Sequence, residues 1–408
     1  MKHGNKNSYS KNKEYVGRWG NEYDTNFNIN LSKKFTQSNG AWTKLVVQLE
    51  NWSDNYDNNV GDYKIDLTEL YIEMGNVPMF TGAFKDAKIV AGKKKWDAQQ
   101  VEILDYYYQD VKGTGLGLEG IRLWNGSLNL TYISNDFKDG ELSNIEGKKA
   151  EDVRAYKAKY THGDISGEVM YAHATDNDKI KKYKNNLENW NRDAADDGFY
   201  AGLYYQPDNF FGLEGKGQHY LQYATGILAG EGIGKIETDA NKRAANDAVT
   251  YQLGLGGTVR LGDRTHMLVS YRGLRAQNIE ARKTVSYWHD VDNPTNMSPY
   301  VGSWRAKDLE TDALVLRPIY YINQNLDLWM EAGIARKDTE SYSGTTEDHL
   351  LYKISAGPQL KYYVGNAETS LRLFVTYIGD KTERRENGVT TKSTVEDVLT
   401  GFQVSAWW

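Results

Sequence analysis

The sequence predicts an all-β transmembrane barrel of antiparallel strands, and three observations carry that prediction. About seventeen short segments alternate apolar and polar residues with the period of 2 that belongs to strands. The connections between them are short and long in strict turn, the habit of outer-membrane barrels with tight periplasmic turns and long outer loops. The chain stops on Gly401-Phe-Gln-Val-Ser-Ala-Trp407-Trp408, where Phe402, Val404, Ala406 and Trp408 share one parity and Gly401, Gln403, Ser405 and Trp407 the other. In water an apolar edge strand with no polar tail invites aggregation. In a membrane barrel its apolar face meets lipid and its edges are paired.

Taken in order, the strands are expected near residues 25–31, 44–50, 65–75, 87–92, 116–123, 127–133, 152–160, 164–172, 199–206, 219–225, 249–256, 266–272, 313–320, 326–334, 350–357, 371–378 and 400–408. The first sets Phe27, Ile29 and Leu31 against Asn26, Asn28 and Asn30. Among the clearest, Leu326, Leu328, Met330, Ala332 and Ile334 oppose Asp327, Trp329, Glu331 and Gly333. Tight turns fall at 124–126, 162–164, 262–264, 323–325 and 365–367. Long polar connections are expected at 51–64, 93–115, 134–151, 173–198, 226–248, 273–312, 335–349 and 379–399. No long amphipathic helix separates the strands, which excludes βαβ architectures. Counting back from a periplasmic C-terminus places residues 1–24 on the long-loop side. Seventeen is odd, whereas bacterial single-chain barrels are even. One further strand and a signal peptide are therefore expected upstream of Met1, and the last strand's outer edge is expected to be unpaired unless residues 1–24 cover it.

Composition narrows the class. Net charge is −6 with pI about 5.8, which argues against a nucleic-acid partner. The chain has no cysteine, so neither a disulfide framework nor a thiolate metal site is available. Mean hydropathy is −0.69, and no apolar run approaches the roughly 18 residues of a spanning helix. Barrels give the same low value, because lipid-facing and lumen-facing residues alternate. The run Lys179-Ile-Lys-Lys-Tyr-Lys184 reads as solvated loop charge.

The motifs point away from catalysis. Gly115-x-Gly117-x-x-Gly120 fits a dinucleotide fingerprint as a string, but a hairpin follows it where the fingerprint needs a helix. The seven histidines show no metal-ligand spacing, and no nucleophile elbow occurs; no cofactor is expected. Asp105 and Asp110 flank Tyr106-Tyr107-Tyr108. Such a pair suits a glycosidase, a plain polar loop, or non-catalytic sugar contact, in which aromatic faces stack on pyranose rings while carboxylates bond hydroxyls. Trp407 and Trp329 fall on the lumen parity, where indole faces suit a track for sugars or, at a barrel end, an interfacial girdle.

On these residues the chain resembles the maltoporin-like family of sugar-specific outer-membrane porins. The resemblance rests on Val16-Gly-Arg18-Trp-Gly-Asn-Glu22-Tyr-Asp-Thr25, on Val90-Ala-Gly-Lys-Lys with Ile103-Leu-Asp105-Tyr-Tyr107-Tyr-Gln-Asp110 and Gly113–Glu119, and on Gln222–Thr225, Arg317-Pro318, Met330-Glu-Ala-Gly333, Leu373–Tyr377 and Trp407-Trp408, in collinear order. It implies an 18-stranded homotrimeric barrel over residues 1–408, embedded among outer-membrane lipid and lipopolysaccharide, for passive uptake of oligosaccharides. It makes 93–117 a constriction loop folded into the pore. It puts Tyr107 and Trp407 on the aromatic slide, to which Trp329 is added by parity. Arg18, Asp105 and Asp110 fall on polar or constriction positions, and Asn28 and His219 are assigned to the polar track. Asn26, His219 and Asp380 stand where the family has slide aromatics, and Ala98 and Gln100 where it has an Arg and an Asp. Sucrose, raffinose or β-glucosides are then as credible as linear maltodextrins. A general-diffusion porin, an adhesin or a phage receptor on the same barrel is the alternative.

Overall fold

The wall of the molecule is one antiparallel sheet whose strands follow the expected alternation. A computed structural model describes residues 12–22, 25–53, 65–135, 152–175, 195–236, 244–279, 285–289, 297–301 and 306–407. Its long strands are β1 (Thr25–Thr36), β2 (Trp42–Ser53), β3 (Asp66–Gly75), β4 (Lys88–Val101), β5 (Tyr106–Leu123), β6 (Gly126–Asn135), β7 (Asp152–His162), β8 (Ile165–Thr175), β9 (Asp197–Tyr205), β10 (Leu213–Thr225), β11 (Val249–Gly262), β12 (Thr265–Gln277), β13 (Ala306–Tyr321), β14 (Leu326–Ser341), β15 (Thr346–Val364), β16 (Ala367–Glu386) and β17 (Val389–Trp407). Each pairs with the next, and the two-residue strand Asn209–Phe210 beside β10 brings the sheet to eighteen. Every segment expected from alternation overlaps one of these strands, several of them at one end, as 116–123 does in β5 and 400–408 in β17.

Four expectations about the connections change. Residues 335–349 and 379–399 are mostly strand, because β14–β17 run on past the expected loop boundaries and turn at 342–345 and 387–388. Residues 93–115 are a hairpin extension of β4 and β5 closed by a short helical turn, Glu102–Leu104. The connection 226–248 contributes a described stretch, 226–236, that lies against the inner wall through buried Ile227, Leu228 and Ile233. The Lys179–Lys184 run, most of the connections after β2, β6 and β8, and Trp408 fall outside the described residues. Among the described residues no ladder joins β1 to β17. Residues 12–22 do not cover that seam: they run inside the barrel, with a single helical turn α1 (Lys13–Val16).

The two faces of the wall differ as lipid and lumen require. Phe402 and Val404 on β17 are 54% and 59% exposed, and their parity belongs to the lipid side. On the same strand Leu399 and Gln403 face inward, where Gln403 bonds Glu22 of the luminal segment. Tight turns close the periplasmic end. The β5–β6 turn holds both Trp124 and Asn125 at positive φ, 42° and 63°, the twist that a two-residue hairpin demands.

Candidate functional site in the lumen

Two segments meet inside the barrel, the β4–β5 hairpin and residues 12–22. Alternation along the hairpin decides what each tyrosine does. Tyr106 and Tyr108 point into the wall. Tyr106 donates to Gln252 (2.8 Å) under the Arg272 guanidinium, 3.7 Å from its ring. Tyr108 stacks on Tyr220 at 4.3 Å and 4°, and Gln222 donates to its carbonyl at 2.6 Å. Gln109 donates to the buried Glu168 at 2.7 Å, and Lys157 joins that carboxylate to Asp97 on the other arm of the hairpin. Tyr107, between the two buried rings, therefore points the other way and is 43% exposed.

The hairpin tip reaches the luminal segment. The Arg18 amide donates to the Ile103 carbonyl at 3.2 Å. Asp105, held left-handed at φ 51°, lies 2.5 Å from Lys13 and 3.6 Å from Arg18, and accepts from Gln100. Arg18 also bonds Glu22 at 2.7 Å. Burial opposes the charge on Arg18, but Glu22, Asp105 and Glu102 more than offset it and raise its pKa. Arg18 and Asp105 thus meet as one charged cluster beside Tyr107. Asp110 lies further back on the hairpin, 3.4 Å from Lys112.

The luminal segment is itself pinned by a buried ionic cluster that the residue patterns did not single out. Glu331 on β14 is fully buried. It accepts from Arg317 Nε at 2.6 Å, Lys353 Nζ at 2.7 Å and the Trp19 amide at 3.0 Å. Lys353 also donates to the carbonyls of Gly17 (2.6 Å) and Trp19 (3.1 Å), and Arg317 reaches Glu102 at 2.7 Å. The Trp19 indole has Arg317 3.7 Å and Arg372 4.1 Å from its ring centre. The two glycines of Gly17-Arg-Trp-Gly20 are required here. Both hold positive φ, and a Cβ on Gly17 would sit 2.3 Å from Glu331 Oε1. Gly333 answers from the wall, since its Cβ would lie 2.2 Å from the Val16 carbonyl. The separate strings Val16–Glu22, Arg317-Pro318 and Met330–Gly333 are thus one contact.

Two assigned residues are placed away from the channel surface. Trp329 does face inward, but it is 1% exposed and lies edge-on to Trp19 at 5.1 Å and 80°. The luminal segment covers the ring that was to stack on sugars. His219 shares the parity of Leu221, which is 54% exposed, and pairs across the sheet with Tyr205 and Leu255. It therefore lies on the outward face, 4.8 Å from the Phe211 ring. The others fit. Asn28 shares the inward face of β1 with Asn26 and Asn30, opposite Glu50. Trp407 ends the inward row Gly401, Gln403, Ser405 and is 73% exposed. Gln403 links that row to the constriction by donating to Glu22 at 2.7 Å.

Comparison with known proteins decides the family. The model of the LamB porin family matches residues 1–408. The chain belongs to the LamB porin family. Maltoporin of Vibrio cholerae serotype O1 is 24% identical over 97% of this chain and 89% of its own length, and Maltoporin 1 of Aeromonas salmonicida is 24% identical with the same coverage. Among solved structures, the outer membrane protein OpdK of Pseudomonas aeruginosa aligns over 96% of each chain with a TM-score of 0.46 and 10% identity. As a LamB porin the protein is a channel of the bacterial outer membrane, not an enzyme. Among the described residues no cluster of metal-ligating side chains occurs.

Proposed function

We propose that this LamB porin passes short oligosaccharides selectively and without chemistry, as a homotrimer in a lipopolysaccharide-bearing membrane. The observation that carries the reading is the exposed Tyr107 ring beside the Arg18–Glu22–Asp105 cluster, where the hairpin tip meets residues 12–22. A ring face takes the apolar side of a pyranose while charged groups exchange hydrogen bonds with its hydroxyls. Gln403 and Ser405 continue the polar surface to Trp407 at the periplasmic mouth. Several weak sites in series allow entry and release. Only two of the assigned aromatics are open to the channel, and Ala98 and Gln100 carry no charge at the constriction. A long linear maltodextrin thus finds fewer stacking faces here than its length could use, whereas sucrose, raffinose or a β-glucoside needs fewer.

The test is sugar block of ion current through the full chain in planar bilayers. Losing an aromatic contact of about 1 kcal/mol corresponds to roughly fivefold weaker block, and this is expected for Tyr107→Ala and for Trp407→Ala with conductance retained. Block constants unchanged in both variants overturn the sugar track. No block by any neutral sugar at millimolar concentration favours a general-diffusion pore.

A further inference from the structure

The outward face of β5–β9 carries an apolar trough that sugar passage does not use. Cross-strand register arranges it in rows. Leu130, Ala158 and Val169 stand side by side. The next row towards the long loops is aromatic, Tyr132, Tyr156 and Tyr171. The row above that is polar, Ser134, Arg154 and His173. The small Ala158 between two larger neighbours leaves a hollow of about 730 Å³, bordered lower down by Phe80 of the β3–β4 connection.

Arg154 is the feature that distinguishes this sector. Other outward arginines near the long-loop end are ion-paired: Arg275 with Glu310 and Asp312, and Arg336 with Asp338 two residues along. Arg154 has Asp152 at that same spacing, yet it is exposed and makes no ion pair among the described residues. Asp197 lies one strand further on, across from His173. An exposed guanidinium above an apolar trough presents the two chemistries that match an anionic lipid in the right vertical order. Its planar fork matches a phosphate, and a cation at the membrane surface gains from anionic headgroups.

We propose that this sector is a discrete site for one phosphorylated lipid of the outer leaflet. A saturated acyl chain lies over Ala158 between the aromatic rings, and a phosphate sits on Arg154 with His173 beside it. The proposal rests on the outer-membrane location but not on the sugar reading. Purified full-length protein is titrated with bisphosphorylated lipid A in native mass spectrometry, with phosphatidylethanolamine as the control lipid. Expected is a first lipid A retained in preference to phosphatidylethanolamine. One lost cationic contact gives roughly fivefold weaker retention in Arg154→Gln, while Arg275→Gln leaves it unchanged. Ala158→Phe fills the hollow and weakens binding without altering charge, so it tests the site even where Arg154→Gln fails to fold. Equal retention of both lipids by the parent protein, or parent-like retention in both Arg154→Gln and Ala158→Phe, overturns the site. Sugar block measured on the same variants stays at the parent value, so a failure of the lipid site is separable from a failure of the sugar track.

Discussion

Tyr107 and Trp329 are both aromatic residues aimed into the lumen, and they differ in what lies on them. Tyr107 is left open because its neighbours Tyr106 and Tyr108 take the wall. Trp329 is roofed by Trp19 from 310 positions away in the chain, as residues 329 and 19 show. Trp329→Ala therefore opens a packed cavity, and a loss of about 3–5 kcal/mol is expected. Tyr107→Ala and Trp407→Ala cost far less, since neither ring is packed. Thermal unfolding of the three variants is expected to rank Trp329→Ala lowest, with its sugar block nearer the parent's than that of Tyr107→Ala. A parent-like melting temperature combined with lost block in Trp329→Ala contradicts the burial. Strand parity told correctly that Trp329 faces inward. It carries no information about a cover supplied by a distant segment, which is why the slide assignment failed there. His219 is the opposite case. Its shared parity with Leu221 and Tyr223 was readable in the sequence and places it outside the lumen.

At the scale of elements, the strands were legible from alternation and the luminal path of residues 12–22 was not. Alternation is local and repeats in each strand, so the membrane-spanning part of each of β1–β17 follows from pattern. The path of residues 12–22 depends on Glu331, Arg317 and Lys353, three charges on three consecutive strands that read individually as ordinary lumen residues. Only their burial against Gly17 and Trp19 reveals a clamp. Breaking a buried ion cluster by removing one partner costs about 3–5 kcal/mol, because the remaining charges are left uncompensated. Glu331→Gln leaves Arg317 and Lys353 without their shared carboxylate. The expected result is a luminal segment that detaches, read as higher and noisier single-channel conductance and as earlier proteolytic cleavage between residues 12 and 22. Conductance and cleavage identical to the parent's mean that Trp19 and the glycine contacts suffice to hold the segment. The extended hairpins of β14–β17 were missed for another reason. Charged strand residues beyond the membrane look like loop in sequence, since neither face there is apolar.

The whole molecule is lopsided inside. The β4–β5 hairpin and residues 226–236 pack against the inner faces of β5–β10, where Ala155, Ala172 and Met170 are buried. The inward residues of β1 and of lower β17 stay accessible, among them Asn28 and Ser405. The polar row from Glu22 through Gln403 to Trp407 lies on that side, so the proposed sugar passage is expected along lower β17 and β1. The absence of cysteine makes this directly measurable, because each introduced thiol is the only one in the chain. Asn28→Cys and Ser405→Cys are expected to react with a water-soluble, charged methanethiosulfonate and to step the conductance down on modification. Ala155→Cys and Ala172→Cys, on the same inward parity but beneath the hairpin, are expected to stay unmodified in the folded channel and to react only after denaturation. A central passage reverses this contrast: rapid modification at positions 155 and 172 with an accompanying fall in current is the outcome that removes the one-sided path.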